Sequence, residues 1–261
     1  MLASASSHSG GKRLHRIRPE HGTDHPLVTV ITAVFNARDT LEATIQSVLA
    51  QTYPNIEYLV IDGGSTDGTV DVIRRYDHAI DYWVSEPDKG VYDAMNKGVR
   101  ASTGEWLNLL NANDVFSDPT AIQRVANCFS GNARFIYSDV LLRTAGDALV
   151  RYTCDHNRLI INHQASIYRK SLHEDHGLYL VKAGVTISDY LFFSLLARDE
   201  FAKAADPIAI YDTTGLSQSR RAADQKFVVD FLINGIPKSE FILRLLFYRY
   251  YAAVKRWLKR P

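Results

Sequence analysis

The sequence predicts an α/β fold with a mostly parallel central sheet flanked by helices. Short apolar segments rich in β-branched residues alternate with segments of helical periodicity over residues 27–110. This alternation is typical of parallel strands joined by right-handed helical crossovers. The chain has 261 residues, of which 46% are hydrophobic, and this is enough for one large domain with an appendage.

The alternation begins with one strand and one helix. Residues 27–35, LVTVITAVF, are apolar or β-branched at nearly every position, as in a strand that is covered on both faces. Leu41 and Ile45 then recur at helical spacing. Asp39 followed by Glu42 fits a variant of the capping box, so the helix is expected to start there.

Three more strands and two more helices follow in the same pattern. The strand candidates are residues 56–61 (IEYLVI), 82–84 (YWV) and 106–110 (WLNLL). A short helix is predicted for residues 69–76, and Val91, Met95 and Val99 mark one face of a longer helix that runs towards Gly104. Met95 and Trp106 are assigned to the hydrophobic core.

Each predicted strand gives way to small and polar residues. These loops contain Asn36, Asp62 to Ser65, Asp88 to Gly90, and Asn111 to Asp114. In a parallel sheet all four loops lie at the carboxyl edge, where open α/β folds bind their ligands. One such loop alone is usually structural, whereas four on one edge predict a binding site.

Missing motifs narrow the kind of ligand. The chain has no G-x-x-x-x-G-K-[ST] motif and no G-x-G-x-x-G after the first strand, which excludes a P-loop and argues against a dinucleotide oxidoreductase. The remaining candidate ligand is a nucleoside diphosphate that is held partly through a divalent cation. Such a cation often takes one or two protein carboxylates plus substrate phosphates. Asp114 could supply one carboxylate.

Charge and cysteine content exclude further classes. The formal net charge is +1, which argues against nucleic acid as a partner. Cys128 and Cys154 have no C-x-x-C spacing, so neither a disulfide framework nor a structural zinc site is expected.

The two ends of the chain differ from the middle. Residues 1–25 lack the apolar segment of a secretory signal and are predicted to form a flexible arm.

The sequence after Glu240, FILRLLFYRYYAAVKRWLKRP, has six Lys or Arg and no acid, which suits a helix in a membrane interface. Packing of that helix on the domain is the alternative. We therefore expect a cytoplasmic protein, with this segment as a candidate for peripheral contact with anionic lipid at the inner face of the cell membrane.

Six motifs in order resemble a known family. TVITAVFNA, YLVIDGGSTDGT, SEPDKGVYDAMNKGVRASTGEW and LNLLNAND closely resemble the donor half of the inverting family 2 glycosyltransferases, which have the GT-A fold and use nucleotide-diphosphate sugars. INHQASIYRKSL and ISDYLFFSLLAR resemble the acceptor-side motifs of that family. The match is to the bacterial branch that builds exopolysaccharides and glycolipids.

The resemblance covers roughly residues 26–216 and implies a division of the chain. Residues 26–125 would form the half that binds the nucleotide-sugar donor, and residues 126–216 the half that binds a glycan or lipid-linked acceptor. Residues 217–261 would form a basic and aromatic helical extension.

The resemblance also implies a role for individual residues. Asp189 would be the catalytic base, and Asp114 would bind a divalent cation, Mg²⁺ or Mn²⁺. His163 and Gln164 would lie on the acceptor side. The remaining positions would bind the donor nucleotide and its sugar: Ala33, Val34, Phe35, Asn36, Asp62, Ser65, Asp88, Lys89, Asn96 and Asn113.

This chain departs from the family pattern at two places. Where relatives often have Asp-Asp, it has Asn113-Asp114, and a neutral amide is a weaker metal ligand, so we expect low cation affinity. Where many relatives have Asp-Asp after the second strand, it has Asp62-Gly63, which leaves the nucleotide base open. The donor sugar, the acceptor and the linkage are likewise not specified by the sequence.

Several of these residues also have a purely structural interpretation. Asp114 suits a turn, Asp189 suits the start of a helix, and Lys89 suits a solvated surface charge. His163 could be a hydrogen-bonded structural residue. Asp139, which ends another apolar segment, is a weaker candidate for the acceptor pocket.

Two other functions stay open from the sequence. One is a nucleotidyl- or phospho-transferase on a similar sheet, which would also need a diphosphate site. The other is a non-catalytic nucleotide-sugar-binding partner of a glycan synthase complex. The neutral Asn113, at a position where an acid is usual, suggests this alternative.

Overall fold

A computed structural model describes residues 8–14, 25–129, 131–144, 147–212, 220–233 and 237 of the chain. Its main sheet has eight strands in the order β1-β4-β3-β2-β5-β10-β7-β11. The strands are β1 (His8–Gly10), β2 (Val28–Val34), β3 (Ile56–Asp62), β4 (Tyr82–Ser85), β5 (Trp106–Leu109), β7 (Phe135–Tyr137), β10 (Ser166–Arg169) and β11 (Phe201–Lys203). A second, four-stranded sheet in the order β6-β12-β8-β9 consists of β6 (Val115–Phe116), β8 (Val140–Arg143), β9 (Leu149–Tyr152) and β12 (Ala209–Asp212).

Seven α-helices accompany the two sheets in the described part of the chain. They are α1 (Leu41–Leu49), α2 (Thr69–Arg75), α3 (Val91–Ala101), α4 (Ala121–Ala126), α5 (Ser171–His176), α6 (Ser188–Ser194) and α7 (Arg220–Leu232). The first three are the helices that the sequence predicts between its four strands. Helix α7 is the described part of the predicted C-terminal extension.

The centre of the main sheet is parallel, as the sequence predicts. Strands β4, β3, β2 and β5 all run in one direction, with β2 between β3 and β5. Every residue of β2 is buried, which explains its unbroken apolar sequence, since helices cover both faces of such a strand. Met95 and Trp106 are both in the core as predicted.

Strand β10 brings the two halves of the chain together. It lies antiparallel between β5 and β7, with Ile167 opposite Asn108. The start of β10 therefore lies beside the end of β5, because neighbouring antiparallel strands run in opposite directions. The Asn108 side chain strengthens this junction by donating to the carbonyl oxygens of Gln164 and Ser166, at 3.1 and 2.9 Å.

The beginning of the chain differs from the predicted flexible arm. Residues 8–14 form β1 and a turn at the edge of the main sheet, with β1 antiparallel to β4. Lys12 pairs with Asp81 at 2.9 Å, and Arg13 pairs with Glu57, a buried carboxylate. Hydrogen bonds and ion pairs hold this segment, and such contacts do not require an apolar periodicity in the sequence.

The start of α1 also differs from the prediction. The residue that precedes the helix is Thr40, whose side chain makes no capping hydrogen bond. Asp39 instead pairs with Arg38 at 3.0 Å, and Glu42 accepts a hydrogen bond from the Tyr76 hydroxyl at 2.8 Å. The predicted capping box is therefore wrong, since both of its acids bond to other side chains.

Within the described residues, no helix is both long and apolar enough to cross a membrane. The basic and aromatic segment after Glu240 lies outside the described residues, as does most of the predicted arm.

Candidate active site

A cavity of about 1270 Å³ opens at the carboxyl edge of the parallel strands. Its wall consists of the end of β2, the loop after β5, the segment before β10, and the first turn of α6. Of the residues assigned a role by the sequence, it brings together Ala33, Val34, Phe35, Asn36, Asn113, Asp114, His163, Gln164 and Asp189. The donor-side and acceptor-side predictions thus meet in one space.

The loop after β2 is fixed by a reciprocal contact with the loop after β3. The Asn36 N–H donates to the Ser65 hydroxyl at 2.7 Å, and the Asn36 side-chain oxygen accepts from the Thr66 N–H at 2.9 Å. Asn36 has φ +47°, a left-handed conformation that Asn tolerates better than most residues. Phe35 is 62% exposed at this rim.

Asp62 lies beneath this edge and supports the loop after β3. It is fully buried and accepts hydrogen bonds from the Ser85 hydroxyl at 2.6 Å and from the N–H groups of Gly64 and Ser65 at 3.1 and 2.9 Å. The Ser65 hydroxyl donates to it as well. These hydrogen bonds show that Asp62 stabilises the turn after β3. Neither Asp62 nor Ser65 lines the cavity wall.

Three other predicted donor residues lie away from the cavity wall. Asp88 packs under Gly63, where an added Cβ would come within 2.4 Å of the Asp88 carboxylate, and burial raises the pKa of Asp88. Lys89 is exposed. Asn96 is buried, and its amide donates to the Tyr179 carbonyl at 2.8 Å and accepts from the Tyr179 N–H at 2.9 Å. The Asn96 side chain thereby bonds to the main chain of the acceptor half.

Asp114 lies at the end of the loop after β5 and is 4% exposed. Its carboxylate accepts a hydrogen bond from the Gln164 amide at 2.7 Å, and its main-chain carbonyl accepts from the Thr44 hydroxyl at 2.9 Å. The preceding Asn113 has φ +92° and is exposed. The turn therefore presents Asn113 outward and Asp114 inward, towards Gln164.

Asp189 lies in the first turn of α6, and hydrogen bonds hold both of its carboxylate oxygens. The Tyr92 hydroxyl donates to one oxygen at 2.7 Å, and His163 Nδ1 lies 2.8 Å from the other. Burial works to raise the pKa of Asp189. The hydrogen bond from His163, the charge that His163 carries when protonated and the hydrogen bond from Tyr92 outweigh burial and lower that pKa to about 2. Burial and the adjacent Asp189 carboxylate raise the pKa of Tyr92, so Tyr92 stays a phenol and a donor.

One dipeptide therefore contacts both carboxylates. His163 bonds to Asp189, and the next residue, Gln164, bonds to Asp114. The two residues begin a short 3₁₀ turn, His163–Ala165, which follows Asn162 and precedes β10. Because β10 starts beside the end of β5, this turn contacts both Asp114, in the loop after β5, and Asp189, in α6.

Comparison with known proteins identifies the family of this chain. Glycosyl transferase family 2 matches residues 29–177, more than half of the chain. The chain belongs to this family.

Two relatives and one solved structure illustrate the similarity. An uncharacterized glycosyltransferase of Mycobacterium tuberculosis is 34% identical over 220 residues, covering 76% of this chain and 79% of the relative. A PGL/p-HBAD biosynthesis glycosyltransferase of Mycobacterium bovis is 33% identical over 181 residues, covering 64% of this chain and 68% of that protein. The mannosyltransferase PcManGT from Pyrobaculum calidifontis, solved with GDP-Man and Mn²⁺, has a TM-score of 0.60 at 20% identity and covers 83% of this chain and 67% of its own.

These similarities, together with the sheet order, identify a family 2 glycosyltransferase with the GT-A fold. The four motifs that resemble the donor half of the family contain or follow the parallel strands β2, β3, β4 and β5. His163 and Gln164 lie in the turn just before the antiparallel β10. The family and fold expectations from the sequence are confirmed.

The residues of this glycosyltransferase fit a divalent cation of the kind that takes few protein ligands. Among the described residues, no group of three or more His, Cys, Asp or Glu could hold a metal by itself. Asp114 supplies one carboxylate in the cavity, and the nearby Asn111 Oδ1 is buried with no hydrogen-bond partner in the described structure. Mg²⁺ is often bound by one or two carboxylates and completed by substrate phosphates and water.

Asp139, the weaker acceptor-pocket candidate, has a structural role. Its buried carboxylate pairs with Arg151 at 2.7 Å and Lys203 at 2.6 Å and accepts the Cys154 N–H at 2.9 Å. These contacts tie β8 and β9 to β11, and Asp139 does not line the cavity wall.

Sequence reasoning missed two residues of this family 2 site. Tyr92 donates to Asp189, and Asn111 Nδ2 lies 3.0 Å from His163 Nε2. Asn111 was visible as a polar residue at a strand end, without an assigned role. Tyr92 follows the Asp88-Lys89-Gly90 loop at the start of α3, and this position predicts that it lies at the carboxyl edge of the sheet. No local pattern pairs it with Asp189, which is 97 positions away.

Proposed function

We propose that this family 2 enzyme transfers a sugar from a nucleotide-diphosphate sugar to a hydroxyl group of a glycan or lipid-linked acceptor, with inversion at the anomeric carbon. Asp189 acts as the general base, and a divalent cation held by Asp114 assists. The observation that supports this most is that both carboxylates line one cavity and bond to adjacent residues, Gln164 and His163.

The state of Asp189 suits a base in a single displacement. Its pKa of about 2 keeps it ionised at neutral pH, and hydrogen bonds from Tyr92 and His163 hold its two oxygens. A carboxylate oxygen can accept more than one hydrogen bond, so the acceptor hydroxyl can donate from the cavity side. Because so acidic a group is a weak base, the proton is transferred late, when the hydroxyl oxygen has already begun to bond to the anomeric carbon.

The leaving nucleoside diphosphate would lie beside Asp114 in the same cavity. When bound, the cation would neutralise the negative charge that develops on that diphosphate. Asp114 would hold it, and the Gln164 amide orients the Asp114 carboxylate by a 2.7 Å hydrogen bond. The loop of residues 33–36 lines the same cavity, and the resemblance to the family implies that this loop holds the nucleoside.

Product analysis separates this proposal from the two alternatives. The purified protein is incubated with UDP- and GDP-sugars, Mn²⁺ and a panel of acceptors, and products are identified by mass spectrometry and NMR. We expect release of nucleoside diphosphate and a product of inverted anomeric configuration. Release of pyrophosphate would point to a nucleotidyltransferase. Donor binding without turnover under any acceptor would point to a non-catalytic partner.

We propose further that the enzyme contacts anionic membrane through residues 247–261. The basis is the sequence, which combines Arg249, Lys255, Arg256, Lys259 and Arg260 with aromatic residues and has no acid. A lipid-linked acceptor would be presented at such a surface.

Deletion of residues 247–261 is expected to weaken binding to liposomes that contain anionic lipid. Each Lys or Arg near such a surface contributes about 1 kcal/mol, so the loss of these cations should be measurable by cosedimentation. Neutral liposomes and the unchanged melting temperature of the truncated protein serve as controls. Equal sedimentation of the full and truncated proteins would contradict the membrane contact.

A further inference from the structure

We propose that His163 is the positioning residue for the Asp189 carboxylate, and that Asn111 fixes His163 in the tautomer this requires. This inference rests on the proposed function, in which Asp189 is the base. It adds a residue that acts through the base, and it links the base to the loop that carries Asp114.

The first step concerns the proton between His163 and Asp189. The Nδ1–Oδ2 distance is 2.8 Å, and an ionised carboxylate has no proton to donate. His163 Nδ1 must therefore carry the hydrogen. In a neutral imidazole the other nitrogen, Nε2, is then an acceptor.

The second step concerns the partner of Nε2. The Asn111 amide nitrogen lies 3.0 Å from it and is a donor. Asn111 thus supplies the hydrogen bond that the Nδ1–H tautomer needs, and the chain of donors runs from Asn111 to His163 to Asp189. Buried networks of this kind keep a side chain in one orientation when every member has its partner.

The third step concerns the orientation of the carboxylate. Tyr92 donates to Asp189 Oδ1 and His163 donates to Oδ2, so rotation about the last side-chain bond would break both contacts. The Asp189 side chain is 20% exposed, and it faces the cavity. The carboxylate is thereby held with its open side towards the acceptor hydroxyl, and loss of one donor lets it turn away.

The fourth step concerns the link to the donor half. Asn111 and Asp114 belong to the same loop, and the Asp114 N–H donates to the Asn111 carbonyl at 3.1 Å. The His163 and Gln164 dipeptide contacts both ends of that loop. A shift of the loop when the donor binds would therefore reach Asp189 through His163.

Two near-isosteric substitutions test the role of His163. An Asn side chain places its amide where His has Nδ1, and a Gln side chain places its amide where His has Nε2. We expect His163→Asn to retain transfer to within about tenfold, because its amide can still donate to Asp189. We expect His163→Gln and His163→Ala to lower kcat about 100-fold, as misplacement of a reacting group by an ångström does, while the KM for the donor stays within about twofold of the wild-type value.

Controls separate positioning from stability. His156 Nδ1 meets the Tyr137 hydroxyl at 2.9 Å away from the cavity wall, so His156→Asn and His156→Gln should not differ in kcat. Melting temperatures of all variants show whether they fold. Nitrogen-15 NMR of the imidazole ring should place the His163 proton on Nδ1, and this measurement does not depend on turnover.

The outcomes are distinct. If His163→Asn is as inactive as His163→Ala, a donor at the Nδ1 position does not suffice for transfer and the positioning role is overturned. If His163→Gln or His163→Ala turns over at the wild-type rate, or if the proton is found on Nε2, the proposed contact has no role. Failure of the proposed function would show instead as full activity of Asp189→Asn.

Discussion

Replacing Asp189 with asparagine is expected to lower the rate of sugar transfer about 1000-fold, the middle of the range for loss of a general base. The amide has the shape of the carboxylate and can still bond to Tyr92 and His163, which hold the native oxygens at 2.7 and 2.8 Å. It cannot take the proton of the acceptor hydroxyl. The loss should therefore appear in kcat, and stabilisation by nucleoside diphosphate in a thermal-shift assay should persist.

Asp118 provides a matched control for this substitution. Its pKa is also lowered, mainly by the hydrogen bond from Arg124, but it lies away from the cavity wall. Asp118→Asn removes a stabilising ion pair and should lower the melting temperature with little effect on transfer. A fully active Asp189→Asn enzyme would show that another group is the base.

The lowered pKa of Asp189 also fixes its contribution to the pH dependence. A carboxyl group whose folded pKa is below its unfolded value, about 3.9, stabilises the protein above the unfolded pKa. That contribution is lost as the pH falls towards the folded value of about 2. Asp189 should therefore stay ionised from pH 5 to 8 and give no acid limb to the transfer rate in that window. In Asp189→Asn the change in melting temperature between pH 5 and 2 should be smaller than in wild type.

Replacing Asp114 with asparagine is expected to remove the dependence of donor binding on a divalent cation and to lower transfer about 100-fold. In the native protein the Gln164 amide donates to the Asp114 carboxylate at 2.7 Å. The asparagine side chain still offers an oxygen to this amide, so the buried loop retains its hydrogen bond. It removes the negative charge that a hard cation requires. Ligand at 100 times its Kd stabilises a protein by about 2.7 kcal/mol, and most of the Mn²⁺-dependent part of that gain should disappear.

Asn113 offers the opposite change at the neighbouring position. It is exposed at the cavity wall with φ +92°, a conformation that Asp also tolerates better than most residues. Asn113→Asp places a second acid beside Asp114 and should increase the Mn²⁺-dependent stabilisation by nucleoside diphosphate. If Asp114→Asn keeps a full response to Mn²⁺, Asp114 does not hold the cation.

Several parts of the fold could be predicted because their causes are local. Strand β2 is buried along its whole length, so its apolar sequence alone marks it as a central parallel strand. The polar loops at Asn36, Asp62 and Asn111 follow from strands that end at the ligand edge. The predicted capping box at Asp39 was wrong. The sequence pattern is present, but Asp39 pairs with Arg38 and Glu42 bonds to Tyr76.

The sequence predicted which residues lie in the candidate site better than it predicted what each side chain contacts. The sequence singled out Asp114, His163, Gln164 and Asp189, and the structure places all four on one cavity wall. It also singled out Asp62 and Asn96, whose polar atoms bond to a turn and to the Tyr179 main chain. A polar side chain at a strand end or on a helix face carries no local sign of whether it points to a ligand or to the backbone.

By itself the sequence determined the family, the parallel centre of the sheet and the polar edge, because each depends on residues that are neighbours in the chain. Only the tertiary structure decided that β10 enters antiparallel beside β5. That placement joins Asn111 and Asp114 to His163 and Gln164, about 50 positions later. The bonds that orient both acids form across this junction, and contacts between distant segments leave no periodic trace in a single sequence.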